Sequence, residues 1–173
     1  MNALSIRRAT SADAALIHRL ICALALYEHE PDAVEATPES LRAQLEQVPP
    51  PFECLIAEWE GEPAGFALYY QTYSTWRGKV GIHLEDLFVP EEQRGRGIGA
   101  ALLASLAKEL VSRGGARLEW NVLDWNEPAR RFYLELGAQH LETWQIFRLD
   151  GSALLRLAER GPAIAKRAGD VSR

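Results

Sequence analysis

The segment with the clearest chemical potential is a glycine-rich turn in the middle of the chain, Arg94-Gly95-Arg96-Gly97-Ile98-Gly99-Ala100. It lies between a predicted strand and a predicted helix. Glycine lets the backbone approach a ligand closely, and the free N–H groups of a helix start favour negative charge. Arg94 and Arg96 add guanidinium groups, which match phosphate oxygens well. The turn predicts a site for a phosphate or pyrophosphate ligand, although a plain glycine-rich turn would share this composition.

Two common nucleotide-binding motifs do not fit this turn. A Walker A loop ends in Gly-Lys-Ser/Thr, whereas Gly99 is followed by Ala100-Ala101. A dinucleotide fingerprint has the spacing G-x-G-x-x-G, and this turn has G-x-G-x-G. Glu119 lies about twenty residues beyond the turn, where a dinucleotide fold places its ribose-binding acid, but the spacing of the glycines is still wrong.

Titratable side chains occur on the strand that precedes the turn. Glu85 and Asp86 are adjacent, so a regular pleat points them to opposite faces of the sheet. Only one of them can then face a cleft unless the strand contains a bulge, and such a pair is often a solvated or ion-paired edge. His83 and His140 are possible bases by type, but each is a lone histidine without a matched role.

The hydrophobic pattern predicts the elements that position these residues. Strands are expected at 5–8, 54–59, 64–73, 80–89, 117–123 and 143–149. Start signals at Thr10, Asp13 and Thr37 and helical spacing predict helices at about 10–27, 38–48, 99–113, 128–136 and 153–159. This order predicts a mixed α/β (α+β) fold in a single domain, 1–160, followed by a flexible tail, 161–173.

Composition narrows the class of protein. The 173 residues are 47% hydrophobic and 25% charged, which is typical of one globular domain. No apolar run approaches the roughly 18–20 residues of a membrane span, and the start lacks a signal-peptide pattern, so a cytoplasmic protein without a membrane partner is expected. Cys22 and Cys54 are expected to be core thiols, and no metal is expected. A net charge of −5 disfavours nucleic acid as a partner and is compatible with a cationic ligand.

A known family combines these features. Arg94-x-x-Gly97-x-Gly99 matches the R/Q-x-x-G-x-G/A signature of the GNAT N-acetyltransferase superfamily. The resemblance is closest to the spermidine/spermine (diamine) acetyltransferase branch, through the segments Phe66-Ala67-Leu68-Tyr69-Tyr70, Leu84-Glu85-Asp86-Leu87-Phe88-Val89 and Trp125-Asn126-Glu127-Pro128-Ala129-Arg130-Arg131-Phe132-Tyr133. It implies a mostly antiparallel sheet, splayed at the acetyl-CoA site, with helices on both faces.

The resemblance also implies a set of residues that bind acetyl-CoA. The backbone of Leu87, Phe88 and Val89 would pair with the pantetheine arm, and residues 95–100 would hold the pyrophosphate. Asn126 and its neighbours would touch the cofactor, and Tyr133 would lie near its sulfur. The complete set is Leu87, Phe88, Val89, Arg94, Gly95, Arg96, Gly97, Ile98, Gly99, Ala100, Asn126, Glu127, Pro128, Ala129 and Tyr133.

Roles in catalysis follow from the same resemblance. Glu85 would relay the proton that the acceptor amine must lose, and Tyr133 would protonate the leaving thiolate. A phenol with a pKa near 10 gives a proton to a thiolate near 8.5 at a cost of roughly 2 kcal/mol. Arg130, three residues earlier on the helix, could favour the phenolate. Without the family, Tyr133 would be read as a core residue.

The same family implies how a cationic amine would bind. The candidate substrate-binding residues are Tyr27, Glu28, Glu85, Asp86, Glu119, Trp120, Asn121 and Glu142. The loop from Gly137 to Trp144 is about three residues shorter than in animal polyamine enzymes, and residues 29–51 match poorly. The expected reaction is direct acetyl transfer to a polyamine or diamine by a homodimer. Acetylation of thialysine-like or protein amines, or acyl-CoA binding without catalysis, are the alternatives.

Overall fold

Five strands and five α-helices form along the part of the chain that the computed structural model describes, residues 3–162 and 164. The strands are β1 (Leu4–Arg8), β2 (Glu53–Trp59), β3 (Glu62–Ser74), β4 (Lys79–Phe88) and β5 (Arg117–Trp120). The helices are α1 (Ala14–Tyr27), α2 (Pro38–Leu45), α3 (Ile98–Ser112), α4 (Glu127–Glu135) and α5 (Gly151–Ala158). The chain forms two compact units, Met1–Leu136, which contains all the strands and α1–α4, and Gly137–Arg173, which contains α5.

The sheet of the first unit has its strands in chain order, β1-β2-β3-β4-β5. The first three pairs of neighbours are antiparallel, and β4 and β5 are parallel. A parallel pair needs a crossover, which α3 supplies between the two strands. The expected mixed, mostly antiparallel sheet and the α/β class are therefore confirmed.

Local signals begin and end these elements as the sequence predicts. The backbone N–H of Thr10 donates to Asp13 Oδ2 over 2.8 Å, ahead of α1. Thr37 Oγ1 accepts the N–H of Ser40 over 3.1 Å and caps α2. Glu60 and Gly61 have φ values of 54° and 90°, so they form the tight turn that joins β2 and β3.

Helices cover both faces of the sheet. On one face, α3 packs through Leu102, Leu103 and Leu106, and we call this the α3 face. On the other, α1 and α2 pack through Ile17 and Leu41, and we call this the α1 face. The expectation of helices on both faces is therefore confirmed, and each face has its own apolar core.

An irregularity in β4 sets the geometry of the site. Leu68 on β3 faces Asp86, but its neighbour Tyr69 faces Leu84, so Glu85 is an extra residue in a β-bulge. β5 pairs with β4 only as far as Leu84. Since β4 continues to Phe88 and β5 ends at Trp120, the pairing of the two strands stops where the bulge begins.

Three expectations differ from the structure or lie beyond it. β5 ends at Trp120 and not at 123, because β4 offers it no partner beyond the bulge. Residues 144–150 have no regular secondary structure, so the strand predicted at 143–149 was wrong. Alternating side chains favour a strand, but a strand also needs a neighbouring strand to which its backbone can hydrogen-bond. Most of the tail predicted at 161–173 lies outside the described residues. Among the described residues, 3–162 and 164, no helix is long and apolar enough to cross a membrane.

Candidate active site

The glycine-rich turn has the geometry expected of an anion site. Gly95 and Gly97 have φ values of +75° and +76°, which favour glycine, and Gly97 is the N-cap of α3. A Cβ atom built on either glycine would meet no atom of the protein within 4 Å. The backbone here is open to a ligand, and the start of a 15-residue helix lies directly behind it. Gly99 instead permits packing, because its Cβ would lie 3.3 Å from Phe132.

The two arginines of the turn lie over aromatic rings. The guanidinium carbon of Arg94 lies 4.7 Å from the centre of the Tyr27 ring, and Arg94 Nε donates to the carbonyl oxygen of Val89 over 3.0 Å. Arg96 lies 5.1 Å from the Trp59 ring. Both guanidinium groups therefore remain at the mouth of the turn, where they add positive charge.

Beyond the bulge, β4 presents one free edge. Leu87 and Phe88 pair with β3 on one side, but β5 pairs with β4 only as far as Leu84. An extended arm that carries amide groups could therefore pair with this stretch as a strand does. The free edge and the open glycine turn follow one another in the chain, which fits the pantetheine arm and pyrophosphate of CoA.

The bulge turns Glu85 and Asp86 toward the same face of the sheet. Leu84 and Leu87 both pack on the α3 face, although a regular strand would point residues three apart to opposite faces. The two acids between them therefore share the α1 face. The expectation that only one of them could face the cleft was conditional on a regular pleat, and that condition fails.

Asp86 is the more buried of the two acids. Burial raises the pKa of its carboxyl group to about 6, and the nearby charges of Glu85 and Glu28 act in the same direction. The side chain of Glu85 is 54% exposed. Asp86 is therefore the shielded carboxylate of the pair, and Glu85 is the accessible one.

The end of α1 meets the start of α4. Tyr27, the last residue of α1, donates its hydroxyl hydrogen to Asn126 Oδ1 over 3.2 Å. The same oxygen accepts the backbone N–H of Ala129 over 3.3 Å, so Asn126 is the N-cap of α4. Asn126 is one of the few polar side chains in the core, with 7% exposure. Glu28 follows Tyr27, and burial raises the pKa of its carboxyl group.

Tyr133 lies among these groups. Burial, and to a smaller extent the charges of Glu28 and Tyr27, raise the pKa of its phenol to about 12. Its ring lies 4.9 Å from that of Trp120 at the end of β5. The idea that Arg130 favours a phenolate was wrong, because Arg130 Nη1 contacts Glu127 Oε2 at 3.2 Å and the carbonyl oxygen of Asp124 at 3.3 Å.

The structure thus brings together five of the expected residues: Tyr27, Glu28, Glu85, Asp86 and Tyr133. Glu119 and Trp120 lie at the end of β5, and Asn121 follows them in an exposed position. Glu142 belongs to the second unit, in a turn with Thr143, and its role stays a prediction. Within residues 3–162 and 164, no three side chains of the His, Cys, Asp and Glu types lie close enough to hold a metal ion.

His83 was considered as a possible base and set aside for want of a partner, and the structure places it beside Glu85. Its ring stacks on that of Tyr70 at 5.1 Å, and its Nε2 lies 3.8 Å from Glu85 Oε2. Strand alternation places residues 83 and 85 on one face, so this pairing could have been found from the sequence. The description of His83 as a lone histidine was therefore wrong.

Comparison with known proteins gives the same result as the geometry. The model of the acetyltransferase (GNAT) family matches residues 18–138. Thialysine N-epsilon-acetyltransferase of Bos taurus is 42% identical over 164 residues, covering 88% of this chain and 96% of that protein. Spermidine/spermine N(1)-acetyltransferase-like protein 1 of Homo sapiens is 36% identical over 168 residues, covering 91% of this chain and 24% of that protein.

A solved structure extends the likeness to the fold. An integron cassette protein from the mobile metagenome of V. cholerae has a TM-score of 0.76 and 25% identity, covering 92% of this chain and 99% of that one. The motifs, the fold and the relatives agree, and they confirm the resemblance to the diamine acetyltransferase branch. The chain belongs to the acetyltransferase (GNAT) family and is an N-acetyltransferase.

Proposed function

We propose that this enzyme transfers the acetyl group of acetyl-CoA directly to the primary amine of a small cationic molecule, a polyamine or diamine. The observation that supports this most is a group of three carboxylates, Glu28, Glu85 and Asp86, beside the free edge of β4. The charges of Glu85 and Glu28 raise the pKa of Asp86, and the charge of Glu28 also raises that of Tyr133. We call Glu28, Glu85 and Asp86 the acid cluster. Carboxylates in a partly buried cleft attract a cation far more strongly than in open water.

The acceptor nitrogen must lose a proton before it can attack. For an amine with a pKa near 10.4, deprotonation at pH 7 costs about 4–5 kcal/mol. Glu85 accepts this proton in our proposal, since it lies beside Asp86 and its side chain is exposed to an approaching amine. Asp86 and Glu28 hold the charge of the amine and help to position it.

Tyr133 acts at the other end of the reaction. With a pKa of about 12, its phenol is protonated at neutral pH and can donate a hydrogen bond to the sulfur. Full transfer of that proton to a thiolate of pKa about 8.5 costs roughly 5 kcal/mol, more than the 2 expected from an ordinary tyrosine. Donation is therefore expected as the carbon–sulfur bond breaks and not after it.

Acetyl-CoA supplies the acetyl group in our proposal, and the free edge of β4 and the open glycine turn support the following contacts. The free edge of β4 at Leu87 and Phe88, with Val89 directly after it, takes the pantetheine arm, and the turn from Arg94 to Ala100 takes the pyrophosphate. The first turn of α4, with Asn126, Glu127, Pro128 and Ala129, completes the proposed contacts and is joined to Tyr27 through Asn126. Direct transfer predicts intersecting initial-velocity lines, because both substrates must be bound together.

A second candidate acceptor is thialysine or another amine of the amino-acid type. The observation that favours it is the 42% identity to a bovine protein named as a thialysine N-epsilon-acetyltransferase. Such a substrate has a carboxylate as well as two amines, so it would need a cation near the acid cluster. Glu119, Trp120, Asn121 and Glu142 remain our candidates for contacts with the distal part of either substrate.

A thiol-release assay distinguishes these acceptors. The purified protein would be mixed with acetyl-CoA and spermidine, spermine, putrescine, thialysine, lysine or a lysine-containing peptide. We expect the highest kcat/KM with a polyamine or diamine. Thialysine as the best substrate would favour the second candidate, and turnover of the peptide alone would overturn the proposal.

We also propose that the enzyme is a homodimer in the cytoplasm and needs neither nucleic acid nor a membrane. Large apolar side chains of the second unit support self-association, since Trp144 is 71% and Phe147 is 90% exposed. Light scattering coupled to size-exclusion chromatography would measure the mass in solution. A single species of about 19.3 kDa, the mass of one chain, would contradict the dimer.

A further inference from the structure

His83 has the surroundings of a group that handles protons. It lies on β4, two residues before Glu85 and on the same face of the sheet, with 3.8 Å between Nε2 and Glu85 Oε2. A shift of under 1 Å, or one bridging water, would complete a hydrogen bond. The imidazole stacks on the ring of Tyr70 with 27° between the ring planes, and this contact holds it in position.

Ionisable groups surround His83 on several sides. Tyr70 lies on β3, and burial, followed by the charge of Glu85, raises the pKa of its phenol. On β5, Glu119 is the register partner of His83, and Glu119 Oε2 lies 2.7 Å from Arg117 Nε, although that N–H does not point at the oxygen. Asp86 lies further along β4, and Glu28, directly after α1, is close enough for its charge to raise the pKa of Asp86. The local balance is negative, which favours the arrival of a proton.

His83 and its neighbours differ in their access to solvent. The side chain of His83 is 19% exposed, so it is partly buried but still reaches solvent. Tyr70 beside it is 37% exposed. A bound amine would cover Glu85 and separate it from bulk water. His83 would then be the next group along the strand whose ring nitrogens can accept a proton and pass one on.

We propose that His83 is a proton carrier for the acetyltransferase reaction, and that it passes the proton of the acceptor ammonium from Glu85 to solvent. This inference rests on the proposed function. Two protons leave the acceptor nitrogen as an ammonium becomes an amide. The first goes to the Glu85 carboxylate, then to the His83 imidazole and then to water. The second proton passes from the nitrogen to water as the carbon–nitrogen bond forms. Tyr133 gives its proton to the sulfur as the carbon–sulfur bond breaks and regains one from water, so the whole reaction releases one proton.

Two variants of His83 distinguish a proton carrier from a packing residue. His83→Phe keeps a ring to stack on Tyr70 but cannot carry a proton, and His83→Ala opens a space that added imidazole can occupy. We expect kcat at pH 7 to fall about tenfold in both variants. Loss of a direct general base typically lowers kcat by about 10²–10⁴-fold, which is a larger effect. The deficit should shrink as the pH rises, because more of the amine is then already neutral. KM for acetyl-CoA should stay unchanged.

Imidazole rescue is the decisive measurement. Added imidazole should restore turnover to His83→Ala and not to His83→Phe, and His18→Asn, which alters a histidine that contacts Cys22 on α1, should behave as the parent enzyme. Parental kcat in His83→Phe, or no rescue of His83→Ala, would overturn the role of His83. A parent enzyme that acetylates no amine would overturn the proposed function too, and the two failures are therefore distinguishable.

Discussion

The hydroxyl group of Tyr27 donates a hydrogen bond of 3.2 Å to Oδ1 of Asn126, and so joins the last residue of α1 to the N-cap of α4. The ring of the same tyrosine lies 4.7 Å below the guanidinium group of Arg94. One side chain thus connects the glycine turn, the start of α4 and, through the adjacent Glu28, the acid cluster.

Two substitutions of Tyr27 separate these contacts. Tyr27→Phe removes the hydrogen bond and should lower the free energy of unfolding by about 1 kcal/mol, with little effect on CoA. Tyr27→Leu also removes the ring beneath Arg94, a contact worth about 0.5–1 kcal/mol, so the Kd for CoA should rise about two- to fivefold. Urea unfolding and calorimetric titration with CoA would measure the two effects. Equal CoA affinity in both variants would contradict the role of the ring.

Tyr133→Phe should affect chemistry and leave binding nearly intact. The ring and its contact with Trp120 remain, but no proton is available for the sulfur, so kcat should fall about 100-fold or more. The Kd for CoA should change by less than about threefold. Tyr73→Phe, which alters a 60% exposed tyrosine of β3, is the matched control and should match the parent. Unchanged turnover in Tyr133→Phe would remove the acid role.

Asp86→Asn should exchange activity for stability in a pH-dependent way. The folded-state pKa of Asp86, about 6, exceeds the unfolded value near 3.9, so the folded protein binds the proton more tightly. This contribution to stability is complete below about pH 4 and is lost as the pH rises through 6. Asparagine does not ionise, so its advantage over the parent should grow between those values and level off at roughly 3 kcal/mol at most.

Urea unfolding of the parent and Asp86→Asn at pH 5 and pH 8 would measure this difference. Asp32→Asn, in the turn after α1, is the control and should show no pH-dependent gain. The same Asp86→Asn protein should have a lower kcat/KM for the amine, because a carboxylate of the acid cluster is missing. A gain in stability that does not vary with pH would rule out ionisation of Asp86 as its cause.

Gly97→Ala tests the glycine turn against a matched glycine elsewhere. Gly97 and Gly61 both have positive φ, and a Cβ on either would meet no atom within 4 Å. Alanine in this conformation costs roughly 1–2 kcal/mol, so both variants should lose similar stability. Only Gly97→Ala should weaken CoA binding, by about tenfold or more, since only its methyl group would intrude on the ligand. Equal CoA affinity in the two proteins would exclude close approach at Gly97.

Local features of this fold were predictable because each rests on a few neighbouring residues. The capping pairs Thr10–Asp13 and Thr37–Ser40 and the glycine turn depend on residues at most three positions apart. The bulge at Glu85 was not predicted. Its sign is that Leu84 and Leu87 pack on the same face of the sheet although they are three residues apart. The sequence placed Glu85 and Asp86 on opposite faces only if the pleat was regular, and local pattern did not decide whether it was.

Long-range environments were beyond local patterns. The pKa of Tyr133 depends on Glu28, more than a hundred residues earlier in the chain, while the nearer Arg130 turns to Glu127. Residues 144–150 alternate like a strand but lack regular structure, because a strand requires a partner that its own residues do not specify. Composition and spacing thus predict elements and turns, and pairing decides which side chains meet.

The central claim, that the acid cluster selects a cationic acceptor, is tested most directly by two amines of equal length. The parent enzyme, Glu28→Gln and Glu39→Gln, a control on α2, would be assayed with 1,5-diaminopentane and 1-aminopentane. One charge-assisted contact is worth about 1.5–3 kcal/mol, so the parent and Glu39→Gln should prefer the diamine in kcat/KM by about 10- to 100-fold. Glu28→Gln should lose most of that preference. Equal kcat/KM for the two amines in the parent enzyme would contradict the claim.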